Sequence, residues 1–182
     1  MIAYAITDTT TLDLNHIEQD LKRFASKASM IVYRDKNNSN YAQHAENFVN
    51  NAKGFDKVLL HGDYLLAHSL GATGVHLKST QFADIVEAKK LGLFVVISTH
   101  TLTEALKAQK LGADMITISP IFDIPNKGEA LGLDVLEFIV SSLSIPVIAL
   151  GGILTQEQIA SCTKVGANGF ASIRYFERKL FN

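Results

Sequence analysis

The sequence predicts an α/β fold, a closed (β/α)8 TIM barrel with a shortened last helix, formed by residues 1–182 as a single domain. Two observations predict it. Eight short apolar runs alternate strictly with amphipathic stretches, and most of the runs are nearly continuous in Val, Ile, Leu and Ala. Strands covered on both faces of a parallel sheet look like this, whereas a sheet covered on one face alternates. Strict strand–helix alternation implies right-handed crossovers, and eight strands are what a closed barrel needs. The rival, an open doubly wound sheet, more often has about six strands.

The elements follow in order. Run 2–7 precedes a helical stretch at 14–25 with apolar residues at 14, 17, 21 and 24. Runs 29–34 and 57–61 are followed by helices at 41–52 and 64–70, the second only about two turns long. Runs 74–77, 94–98, 115–119 and 146–150 lead to helices at 82–91, 102–111, 133–141 and 156–165, and run 169–173 closes the series. Thr101 with Glu104 and Thr155 with Gln158 have capping-box spacing. Gly54, Gly71, Gly92, Gly112 and Gly166 stand where helices should stop.

Behind the eighth run lies only a short tail holding Tyr175, Phe176, Leu180 and Phe181. An average helix takes about 11–12 residues, so the tail supplies barely two turns. Either the tail docks on the wall near the last and first strands, or a partner covers that wall. A homodimer is expected, two-fold pairs being the commonest assembly.

Bulk properties narrow the function classes. With 17 basic and 18 acidic residues, the balance favours neither nucleic acid nor anionic membrane as a bulk partner. No apolar stretch approaches membrane-spanning length and no secretory pattern opens the chain, so a cytoplasmic location is expected. Cys162, the only cysteine, excludes an internal disulfide and reads as a buried, inert thiol.

In such a barrel the site lies at the C-terminal ends of the strands. The residues there are Asp8, Arg34, Lys36, His61, Asp63, His76, Lys78, Ser98, His100, the 120–127 segment, Gly151, Gly152 and Arg174. The strongest local signal is the Gly151-Gly152 pair at the exit of the seventh run, followed one unit later by Arg174. Glycines let backbone N–H groups approach an anion, the loops after strands seven and eight commonly hold phosphate, and a guanidinium suits it. A plain tight turn is the bland account of the pair. The 119–132 connection, from Ser119 to Gly132, is the longest, and Lys127 within it either meets an anion over the mouth or is simply solvated. His100, at a strand exit, suits proton transfer near neutral pH. His76, between Val75 and Leu77, reads as a satisfied interior histidine, and His16, His44 and His68 as surface residues. Arg34 with Lys36 is either a ligand for an anion or a solvated charged turn.

These residues together resemble the thiamin phosphate synthase family and its relative, the TenI-type thiazole tautomerase. The resemblance is carried by Tyr4 to Asp8, Arg34-Asp35-Lys36, Asp63, Gly71 to Leu77, Ser98-Thr99-His100 with Glu104, Gly112 to Asp114, Pro120 to Phe122 with Lys127, Ile145 to Ala149, Gly151 to Ile153 and Gly166 to Gly169. It implies a thiazole phosphate as ligand. The synthase joins a pyrimidine diphosphate to that ligand with magnesium, and the departures bear on this reaction. Gly62-Asp63 stands for Asn-Asp, Gln81 for the second metal-binding aspartate, and Val32 for a glutamine. The segment Ile124 to Lys127 keeps only the lysine of its loop, and Arg174 aligns with a phosphate-binding serine, with Ser172 nearby.

The losses fit the tautomerase, which moves protons to aromatise a thiazole phosphate carboxylate and needs no metal. The resemblance then implies His100 as the acid–base residue. Arg34, Lys36, Ser98, Lys127, Gly132, Gly151, Gly152, Ser172 and Arg174 would bind substrate or phosphate. No metal or other cofactor is expected; Asp63 would hold magnesium only if the chain is a synthase. A third possibility is a phosphate-ligand sensor without turnover.

Overall fold

A computed structural model describes residues 1–36, 38–125 and 128–177. Eight strands form a closed barrel in chain order: β1 (Ile2–Ile6), β2 (Met30–Tyr33), β3 (Lys57–His61), β4 (Gly74–Leu77), β5 (Phe94–Thr99), β6 (Met115–Ile118), β7 (Val147–Leu150) and β8 (Gly169–Ser172). All neighbours are parallel, and β1 closes on β8 with Ile2 opposite Gly169 and Ala5 opposite Ser172. The crossovers are α1 (Ile17–Ala25), α2 (Tyr41–Asn51), α3 (Tyr64–Ser69), α4 (Asp84–Lys90), α5 (Leu102–Lys110), α6 (Gly132–Ser142) and α7 (Gln156–Lys164). The expected fold is the observed one.

Local chemistry sets the element ends. Asp13 accepts from the Asn15 N–H and turns the expected first turn of α1 into a separate 3-10 turn, Leu14–His16. Thr155 and Gln158 form the expected capping box at α7. At α5 the box is only half made. Thr101 caps the Glu104 N–H, but the Glu104 carboxylate reaches one residue further back, to the His100 N–H at 2.6 Å. The glycines expected to stop helices all have positive φ, as left-handed C-terminal turns require.

Two apolar layers share the strands. Inside the barrel lie Tyr4, Ile6, Met30, Val32, Leu59, Val96, Met115, Ile148 and Ala171. The alternate residues face the helices, where Ile31, Leu60, Val75, Ile97 and Ile116 pack against α-helical residues such as Leu21, Phe48 and Ile85. Beyond β8 the chain makes one 3-10 turn, Arg174–Phe176. Phe176 is buried against Phe24 and Phe170, and Tyr175 packs edge-on to both Phe170 and Phe176. Arg23 bonds the Phe176 carbonyl, the Thr11 carbonyl and the buried Asp20 carboxylate, which ties this turn to α1. Tyr175 and Phe176 thus dock near β8 and α1, while Leu180 and Phe181 lie outside the described residues. Among the described residues no helix is long and apolar enough to cross a membrane.

The interior layer should dominate stability. Leu59→Ala removes a fully buried side chain at the barrel centre and should cost about 2–5 kcal/mol in urea unfolding. Leu106→Ala, on the exposed face of α5, should stay within about 0.5 kcal/mol of the parent.

Candidate active site

Alternation along a strand decides what floors the barrel mouth. The inward positions of β3 and β5 run from Leu59 to His61 and from Val96 to Ser98, and that of β4 from Gly74 to His76. The interior thus changes from apolar to polar at one level. His61, His76 and Ser98 floor a cavity of about 1480 Å³, rimmed by Asp8, Arg34, Lys36, Asp63, Lys78, His100, Ser119, Gly151, Gly152 and Arg174.

A fixed chain of hydrogen bonds runs under this floor. The Tyr4 hydroxyl lies 2.9 Å from His76 Nδ1, and His76 Nε2 lies 2.9 Å from Ser98 Oγ. Tyr4 is fully buried, and His76 is its acceptor among the described residues, so its O–H donates to Nδ1. Nε2 then carries the proton and donates to Ser98. The serine proton is left for an acceptor in the cavity. Burial, with His61 and Arg34 nearby, pushes the His76 pKa down to about 3, so the ring is neutral and the polarity of the chain is stable. This makes His76 the satisfied interior histidine that the sequence suggests. Burial, then Arg34, Lys78 and Lys36, also lower His61, to about 4.

His100 sits exposed at the rim. Its Nδ1 is 2.8 Å from the Ser119 carbonyl, an acceptor only, so Nδ1 bears hydrogen. In the neutral ring Nε2 is then the unprotonated nitrogen and can accept a proton from the cavity. Glu104, through the His100 N–H, and Ser119, through the ring, hold both ends of the residue.

Next along the rim, past Ser119 and Pro120, the glycines at 151 and 152 have φ of +98° and +70°. A Cβ at Gly151 would stand 2.7 Å from Pro120 Cα, and one at Gly152 2.7 Å from the Phe122 carbonyl oxygen. Packing of the β6–α6 connection therefore demands the pair regardless of any ligand. Gln158, besides capping α7, donates to the Gly152 carbonyl and steadies the turn. No acceptor among the described residues takes the N–H groups of Gly152 and Ile153, which leaves them available to an anion. Arg174 lines the cavity beside them without a carboxylate partner among the described residues.

Other expected residues separate. Arg34 and Lys36 line the cavity. Gly132 does not; its φ of +78° makes the turn into α6 and its N–H donates to the Ile121 carbonyl. Ser172 lies at the cavity edge, where its hydroxyl donates to the Ile153 carbonyl and accepts from the Tyr175 N–H, which braces the rim. Lys127 lies outside the described residues. Tyr4 and Glu104 were not singled out for the site: Tyr4 has the pattern of an ordinary core residue, and Glu104 that of a cap. Cys162 is buried, with its thiol raised to about 11 by burial, as an inert role requires.

The sequence and the barrel both match known proteins. Residues 3–176 match the TMP-TENI family, thiamine monophosphate synthase. This chain belongs to that family. It is 36% identical over 179 residues to the putative thiamine-phosphate synthase 2 of Aquifex aeolicus, spanning 95% of this chain and 96% of that one. The thiamine-phosphate synthase of Ruminiclostridium cellulolyticum is 27% identical over 178 residues, 93% and 84% of the two chains. The thiamine phosphate pyrophosphorylase structure from Pyrococcus furiosus superposes with a TM-score of 0.79 at 28% identity, over 94% of this chain and 85% of that one. A native KDPGal structure, 17% identical with a TM-score of 0.80 and covering 100% and 87% of the chains, shares the fold.

The magnesium of the family's synthases calls for carboxylate oxygens, and this member's residues do not fit it. Asp63 Oδ1 is engaged as the N-cap of α3, accepting from the Leu66 N–H. Gln81 offers an amide whose Nε2 donates to the Gly62 carbonyl and to Asp84. Among the described residues no cluster of His, Cys, Asp or Glu is arranged to hold a metal ion.

The two depressed histidines set a pH dependence in this thiamine monophosphate synthase family barrel. Below about 6.5 the unfolded chain protonates His61 and His76, while the folded barrel resists until about 4 and 3. The unfolded state then holds more protons, so stability rises with pH across this window and is lost as pH falls. Each histidine should contribute a slope of about 1.4 kcal/mol per pH unit near pH 5. Urea unfolding from pH 7 to 4.5 checks this, and His76→Phe should reduce the slope by about one proton.

Proposed function

We propose that this family member is a metal-independent thiazole tautomerase, which takes a thiazole phosphate carboxylate and moves a proton on its ring to aromatise it. The observation that carries the reading is His100, whose tautomer is fixed by Ser119 so that Nε2 is the base. The phosphate sits at the N–H groups of Gly152 and Ile153 with Arg174, where donors and positive charge converge. Arg34 and Lys36 meet the carboxylate across the cavity. His100 Nε2 takes a ring proton and returns it to the carbon that must gain one, so the ring ends with the atoms it began with. Ser98, a forced donor, bonds an acceptor atom of the ring and orients it. General acid–base catalysis of about 10²–10⁴-fold is enough for a ring already activated by its carboxylate.

The relatives named as synthases favour a second reading, the joining of pyrimidine diphosphate to thiazole phosphate with release of pyrophosphate. Against it stand the amide at position 81 and the missing second carboxylate. A barrel that senses the thiazole phosphate without turnover is the third reading.

His100→Asn should lower tautomerase kcat by at least about a hundredfold while phosphate affinity changes less than about threefold, the pattern of a group acting in the transition state. The parent protein should turn over equally in EDTA and in magnesium. Magnesium-dependent thiamin phosphate formation would install the synthase reading, and binding with no turnover by the parent would install the sensor.

A further inference from the structure

Three polar side chains from three strands meet inside the barrel. Tyr4 stands on β1, His76 on β4 and Ser98 on β5, and the Tyr4 phenol crosses the interior to a ring 72 residues away in the chain. Tyr4 and His76 are buried, their rings stacked with centroids 5.6 Å apart, while Ser98 is half-buried and lines the cavity. The line of hydrogen bonds is closed at the phenol and open at the serine.

Its direction follows from the groups themselves. Burial holds the Tyr4 phenol well above its usual ionisation range, so it remains a donor, and His76 Nδ1 is its acceptor. The neutral ring then keeps its hydrogen on Nε2, which donates to Ser98 Oγ at 2.9 Å. The serine proton is left over. Thr117 stands opposite Ser98 in the β5–β6 register, but its buried hydroxyl has no hydrogen-bond partner among the described residues and does not take that proton. The cavity is the remaining outlet. A packing role alone would not need this polarity, since apolar groups of the same shape can replace a buried polar pair at little cost.

We infer that Tyr4 and His76 are positioning residues that make the cavity selective for the state of the ligand's ring: the site admits a ring whose in-plane nitrogen keeps a free lone pair and refuses the same ring carrying hydrogen or an alkyl group on that nitrogen. The inference rests on the proposed function only for a thiazole phosphate as the ligand. On a thiazole the nitrogen is the strong in-plane acceptor and the sulfur a weak one. A donor fixed on the floor therefore turns the nitrogen towards it. A substituted nitrogen would offer no lone pair and would leave the Ser98 proton without an acceptor, the costly case for a desolvated donor. Without the phenol, His76 could take its other tautomer, Ser98 could turn its proton to Nε2, and the selectivity would go.

Two measurements on the whole protein test this. NMR of the histidine side-chain nitrogens should find His76 with a bare Nδ1 and a hydrogen on Nε2. In Tyr4→Phe, which keeps the shape of the ring, the two tautomers should be mixed. Calorimetric titration then compares thiazole phosphate with its N-methyl thiazolium counterpart, neither of which carries a carboxylate. The parent should prefer the thiazole. Size and charge contribute to that preference and persist in Ser98→Ala, so the change is what is read. The preference should fall about tenfold in Ser98→Ala, the loss of about one hydrogen bond, and at least about threefold in Tyr4→Phe. Hydrogen on His76 Nδ1 in the parent would overturn the inference. So would a preference unchanged in Ser98→Ala. A preference lost in Ser98→Ala but kept in Tyr4→Phe would overturn the role of the phenol. Should Tyr4→Phe fail to fold, the parent's His76 tautomer and Ser98→Ala decide the matter. The stated preference without tautomerase turnover would support the selectivity while the proposed function falls, and failure of both rings to bind would overturn both.

Discussion

Eight strands that all run in one direction bring eight C-terminal ends to one rim, but only if the last strand reaches the first. Here that seam is tight. A Cβ on Gly169 would stand 2.2 Å from the Ile2 carbonyl oxygen, so β8 can lie in register with β1 only with glycine there. The tail behind β8 is short, and Arg23 holds it by gripping the Phe176 carbonyl, the Thr11 carbonyl and Asp20 at once. Arg174 and the Asp8 loop are carried on the two segments that this guanidinium joins. A group placed on α1 for packing therefore keeps one end of the cavity rim in position.

Most of the fold was legible because burial on both faces leaves a distinctive apolar run and because helix ends use a small chemical vocabulary. What escaped was fine placement. Asp13 shortened α1 from its start by capping a different turn, and Glu104 reached His100 in place of Thr101. In both cases a carboxylate took a backbone donor other than the expected one, and spacing alone does not make that choice. In the site, the rim cations, His100 and the glycine pair were readable from their positions after strands. The hydroxyl of Ser172 was not, because its partners, the Ile153 carbonyl and the Tyr175 N–H, come from two different loops. Gly132 fell for a similar reason: a glycine that shapes a turn and one that opens a backbone to ligand are the same letter. Tyr4 shows the converse. It packs like any core aromatic, and only contact with His76, 72 residues away, makes it polar machinery.

Charge is distributed around the cavity by a consistent rule. The histidines on the floor, His61 and His76, are deep enough that burial outweighs any gain from protonation, and cations overhead depress them further. His76, held by Tyr4 and Ser98, serves as an oriented neutral dipole. His100, at the rim, is exposed and has its Nδ1 held by the Ser119 carbonyl. Depth thus divides one residue type into two roles. The cations stand at the rim, where solvent lowers the cost of keeping them charged before a ligand arrives, and the anionic groups of a ligand would replace that solvent on binding.

The glycine pair and Gln81 show why single positions separate poorly into structural and functional ones here. Gly151 and Gly152 are required by Pro120 and Phe122 even without a ligand, yet the N–H groups of Gly152 and Ile153 meet no acceptor among the described residues. Gln81 likewise closes a gap between two loops, and in doing so it occupies the position from which a carboxylate would reach a metal. Replacing it by aspartate alone would remove the Nε2 donor that satisfies the Gly62 carbonyl and would leave the Lys78 ammonium beside any arriving divalent ion, where like charges repel. Conversion to a metal site would therefore need the amide and the lysine to change together.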